Sequence, residues 1–199
     1  MSVLAFIKEN RVLVAGITLP LLLVGLLAYA KTLPGKNVPD PQYKLVYTSQ
    51  TWNGQGKIYF DIDNNGILTT EFKKADNPSQ NNQQVKASIY IYSPKTSTTD
   101  TIEIKVSDED AKLEKTTLSV PEMNGIKFSS KTISPDGYVF EPYHYKNHTL
   151  ITDIFISSSR NYGPNLNKDG RYISLPQANP YYGNLEFLGW IIEDKVQGQ

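Results

Sequence analysis

The chain has 199 residues, with 20 basic and 20 acidic side chains and no cysteine. That length suits one folded domain plus an accessory segment. The charge balance excludes the basic footprint of a nucleic-acid-binding protein, and the lack of cysteine excludes disulfides, thiolate zinc sites and a cysteine nucleophile.

The first element is the strongest. Residues 12–30, VLVAGITLPLLLVGLLAYA, carry no charge and follow Lys8 and Arg11. At about 1.5 Å per residue a helix of this length crosses a hydrocarbon core of about 30 Å, and Pro20 is tolerated there better than in a soluble helix. Ala28, Tyr29 and Ala30 have the small-x-small form cut by signal peptidase, yet the apolar run exceeds the usual signal core of roughly 7–15 residues. A retained signal anchor is therefore expected, with residues 1–11 as a cytoplasmic tail. Lys31 and Lys36 after the span leave little charge asymmetry, but long domains translocate largely regardless of charge. The expected topology is a single pass through the inner (plasma) membrane with the C-terminal domain outside the cytoplasm.

Residues 31–42, KTLPGKNVPDPQ, hold Pro34, Gly35, Pro39 and Pro41 and read as an extended stalk. Across residues 43–193 period-2 alternation dominates, as in KLVYTS, KIYFDI, KASIYIY, RYISL and NLEFLGWIIE, with turns at NNG, SPDG and NKDG. SDEDAKLEK reads either as part of the strand pattern or as one short helix capped by Ser107. Residues 194–199 form a C-terminal tail. About ten strands predict an all-β domain, an antiparallel sandwich or a curled meander.

Asp61, Asp63, Asn65 and Gly66 resemble the opening of a calcium loop. The bidentate acid needed at its twelfth position is replaced by Phe72, and the flanks are strand-forming. NNG is instead expected to close a β-hairpin. His144 and His148 share one strand face and Glu141 falls on the other, so no metal site and no cofactor are expected. Without a nucleophile elbow, phosphate loop or dinucleotide fingerprint, the chain reads as a non-enzyme.

Two regions suggest binding. SSSRNYGPNLNKDGR, residues 157–171, reads as a long polar loop that carries Arg160, Tyr162 and Arg171, residue types favoured at interfaces. Tyr181 and Tyr182, flanked by Pro180 and Gly183, are candidates for exposed rings, while Trp190 is expected in the core. IYIYSPKTSTTDTIEI and ISPDGYVF resemble pieces of β-propeller blades, which implies a propeller-like alternative, although no repeat of blade length occurs. The span, VPDPQY, SPDGY and the closing FLGWI together resemble the layout of single-span envelope proteins of Gram-negative bacteria, and that resemblance implies a periplasmic domain. The expected role is non-catalytic binding, with the membrane engaged through residues 12–30 and another envelope or membrane protein as partner. The alternative is an exported, signal-cleaved domain that binds a small ligand or glycan.

Overall fold

The computed structural model describes residues 3–32, 37–50, 54–78, 84–142, 163–176 and 184–193. Contacts divide the chain into two compact units, Met1–Pro39 with Asp169–Arg171, and Asp40–Lys168 with Tyr172–Gln199.

In the first unit a short helix α1 (Val3–Glu9) is followed by α2 (Arg11–Thr32), with Pro20 inside it. Arg11–Ala30 is long and apolar enough to cross a membrane by length and composition, and none of these residues is buried. Val12 is 88 % exposed and Leu19 66 %, so α2 covers its apolar side chains on no face. The helix extends two residues past the expected span, through Thr32.

The second unit is built on strands β1 (Lys44–Gln50), β2 (Gly56–Ile62), β3 (Leu68–Lys74), β4 (Lys86–Ser93), β5 (Thr98–Lys105), β6 (Lys115–Thr117), β7 (Lys127–Ser129), β8 (Val139–Glu141), β9 (Asn165–Lys168), β10 (Arg171–Ser174) and β11 (Asn184–Glu193). They form three sheets, ordered β5-β4-β1-β11-β7, β10-β9-β8 and β2-β3-β6. The all-β expectation holds at this level. Pairing of β1 with the last strand, β11, departs from a meander, in which sequence neighbours stay spatial neighbours.

Strand β1 lies mid-sheet, and Leu45, Val46, Tyr47, Thr48 and Ser49 are all buried, so both of its faces are covered. Val46, Ile89, Ile104, Phe128 and Ile191 of the five-stranded sheet share one hydrophobic cluster with Ile58 and Phe72 of the β2-β3-β6 sheet. The alternate face carries an aromatic run. Tyr47 stacks on Tyr90 and on Phe140, each at 5.1 Å, Phe140 lies 6.3 Å from Phe187, and Phe187 lies 5.8 Å from Trp190. Burial pushes the Tyr47 hydroxyl up to about 12, and the neighbouring Tyr90 adds to the rise. Trp190 is fully buried, as expected, and so is Tyr138.

The NNG hairpin is present. Asp63 N–H donates to the Ile67 carbonyl at 3.0 Å and Gly66 N–H to the Asp63 carbonyl at 2.9 Å, with Gly66 at φ +77°. This is a three-residue loop closed by a left-handed glycine. The helical alternative for SDEDAKLEK holds for a single turn, Asp110–Lys112, where the Ser107 hydroxyl accepts from Asp110 N–H at 3.1 Å.

One expectation is corrected. Of the expected long polar loop, residues 157–162 lie outside the described residues, and the rest is no loop, because Pro164, Asn165 and Leu166 are buried and β9 pairs with β8 in the register Val139↔Asn167 to Glu141↔Asn165. Pairing satisfies the backbone of this polar segment and Leu166 anchors it, so composition misled. Asp169 (φ 47°) and Gly170 (φ 80°) form a two-residue turn between β9 and β10, the left-handed pair that hairpins favour.

Candidate functional site

Of the residues expected to bind, Arg160, Tyr162, Tyr181 and Tyr182 lie outside the described residues, as do His144 and His148. Arg171 is described, and it starts β10 directly after the Asp169–Gly170 turn rather than ending a loop. Its guanidinium donates to the Val38 carbonyl, within the first unit. A charge-assisted bond to the chain's own backbone engages part of the donor fork that an interface arginine offers a partner.

The acidic stretch around the NNG turn uses its carboxylate locally. Asp63 Oδ1 accepts from Ile67 N–H at 2.8 Å and from Asn65 N–H at 2.9 Å, and its Oδ2 faces the Asn65 side-chain amide at 3.4 Å. The Ile67 N–H, ahead of those of Asn65, holds the Asp63 carboxyl below its ordinary range. An oxygen that already accepts two backbone bonds offers a poorer cation ligand. Among the described residues, no group of three or more His, Cys, Asp or Glu side chains converges to hold a metal.

A second acidic turn, SPDG, ties distant chain together. The Ser134 hydroxyl donates to Asp136 and accepts from Tyr138 N–H at 2.7 Å, while Asp136 Oδ2 accepts from Gln42 N–H, also at 2.7 Å. Lys168 donates to the Asp136 carbonyl, and its ammonium lies 5.6 Å from the Tyr138 ring centroid. This node fixes the point where the chain enters β1.

Beside that entry lies a shallow open groove of about 490 Å³. Tyr43 and Lys44 lie at the entry to β1, Ser93 ends β4, Lys95 lies in the β4–β5 turn, and Ile191 and Ile192 lie near the end of β11. The lining sets Lys44 and Lys95 beside Ile191 and Ile192, a mixed polar and apolar surface. Lys95 enters no ion pair among the described residues. Sequence reasoning missed this groove because its walls come from three segments far apart in the chain, and no local signal links them.

No family model, curated protein or solved structure matches this chain.

Proposed function

We propose that this protein is a membrane-tethered β domain that acts by binding, with α2 as its retained anchor and the β unit outside the cytoplasm. One observation carries the reading. Ten large apolar side chains of α2, from Val12 to Tyr29, are exposed in the folded chain. At about 1.5–3 kcal/mol for each such side chain removed from water, their transfer to lipid is worth on the order of 15–30 kcal/mol, comparable to or above the stability of a whole domain. The length of the apolar run, beyond the usual signal core of roughly 7–15 residues, supports retention over cleavage. The inner membrane and the periplasm are part of the same proposal, supported by Lys8 and Arg11 before the span. The cluster shared by the five-stranded and β2-β3-β6 sheets supports a sandwich of layers.

The second reading is a cleaved, exported domain that binds a small ligand, favoured by the groove between Lys44 and Lys95. Fractionation of C-terminally tagged protein separates the two. Recovery in carbonate-washed membranes at full length is expected, and a soluble product shortened to begin after Ala30 would replace the anchor reading with the second.

A further inference from the structure

Strand β5 is an outer strand of the five-stranded sheet, and its inner edge pairs with β4 over all eight residues without a shift in register. Just beyond that ladder Val106 N–H donates to the Val85 carbonyl. Hydrogen-bonded pairs alternate along antiparallel strands. Thr98, Asp100, Ile102 and Ile104 therefore direct their backbone groups to β4, and Thr99, Thr101, Glu103 and Lys105 direct theirs away from the sheet. Among the described residues the remaining outer strands are shorter or partly covered. β6, β7 and β8 have three residues each and β10 has four. β2 has seven, but the Gln50 side chain accepts from its outward Ile58 N–H at 3.1 Å. Among the described residues β5 is the long edge without such cover. A straight row of unpaired donors and acceptors is a template for another strand.

The side chains on that edge indicate which strand. Glu103 and Lys105 stand on one face, 3.0 Å apart, and are 63 % and 50 % exposed. A twofold axis through Ile104 that sets two β5 strands antiparallel puts each Glu103 opposite the other copy's Lys105. The same register places Ile104 against itself and Ile102 against Val106, which continues the apolar face. An axis through Glu103 would oppose two carboxylates, and one through Ile102 would press Asp100 onto Ile104. Like charges directly opposite destabilise a pair, and opposite charges stabilise it.

We propose that the free edge of β5 docks a second copy of this chain, antiparallel about Ile104, with reciprocal Glu103–Lys105 pairs across the joint. This names the partner for the binding role above and rests on that role, because two domains tethered in one membrane meet at raised effective concentration.

The full-length chain serves for the test. With no native cysteine, disulfides report register cleanly, and a hydrogen-bonded antiparallel pair spaces Cα atoms at about 5.5 Å, inside the disulfide range. Co-expressed Glu103→Cys and Lys105→Cys chains should cross-link in oxidised membranes at least about fivefold more than either alone. Purified wild-type protein should sediment as a dimer in mild detergent. Glu103→Lys and Lys105→Glu should each shift it to monomer, and the double reversal should restore the dimer. Glu103→Pro should also give monomer, with the melting temperature of the other monomeric variants, since its N–H faces away from β4. A monomer at every concentration, a dimer indifferent to single reversal, or cross-linking strongest between two 103 positions overturns the proposal. Carbonate extraction of the same membranes reads the tether independently, so lost pairing with retained anchoring defeats this inference and leaves the anchor standing.

Discussion

The turns DNNG and SPDG look alike in sequence, each with an aspartate near a left-handed glycine, and they are held in opposite ways. At the first, Asp63 bonds residues two and four positions away, and Gly66 presses on the backbone of a distant strand. At the second, Asp136 reaches Gln42, 94 residues away, and Gly137 faces only the flexible end of Lys168. In one turn the carboxylate is local and the glycine carries the tertiary contact. In the other the roles are exchanged.

Substitution of the glycines should give the largest difference. A Cβ at Gly66 would stand 2.7 Å from the Phe128 carbonyl oxygen, whose residue also donates its N–H to Gly66 at 2.9 Å. Gly66→Ala should cost about 2–4 kcal/mol, combining left-handed strain with a clash that backbone cannot relieve cheaply. Gly137→Ala keeps the strain at φ +90° but meets the Lys168 side chain at 3.3 Å, which can swing aside. It should cost about 1–2 kcal/mol. Urea denaturation of both variants checks the ranking, and equal losses would erase the contrast between the two turns.

Asp136→Ala is next. It removes the acceptor for Gln42 N–H and for the Ser134 hydroxyl at a half-exposed position, and about 1–2 kcal/mol is expected. Amide hydrogen exchange localises the effect. Gln42 and Tyr138 should lose protection together, whereas loss confined to the SPDG turn would reduce Asp136 to a local residue like Asp63.

The acid titration of Asp63 is smaller. Its carboxyl is held below the ordinary value by its own turn. The stability it contributes is therefore complete above the unfolded pKa and is lost as pH falls through the folded one. Asp63→Asn should show its deficit at neutral pH, and the gap to wild type should close below about pH 4 in thermal melts. A gap that widens in acid would reverse the assigned direction. Calcium completes the series. Because the Asp63 oxygens serve the turn, millimolar calcium should move the melting temperature by less than about one degree, where a saturated site would add several.

Much of the β unit was readable because period-2 alternation is local. KLVYTSQ, GKIYFDI, KASIYIYS and NLEFLGWIIE are strands within a residue or two of expectation. NLNK was missed because nothing in four polar-looking residues announces that Leu166 is buried and that Asn165 pairs with Glu141. Of the site, Arg171 was read as an interface residue, and its bond to Val38 joins residues 133 apart and has no sequence signature.

The apolar helix, the strand-rich body and the turn residues could be read from the chain, because helix length, side-chain alternation and positive-φ residues act within a few neighbours. Only the long-range packing sets that β1 and β11 pair at the centre of a sheet, that Gly66 meets Phe128, and that β5 is an outer strand with no further strand beside it among the described residues. Those outcomes depend on which distant surfaces exclude water together, and that selection is made by the whole chain rather than by any segment of it.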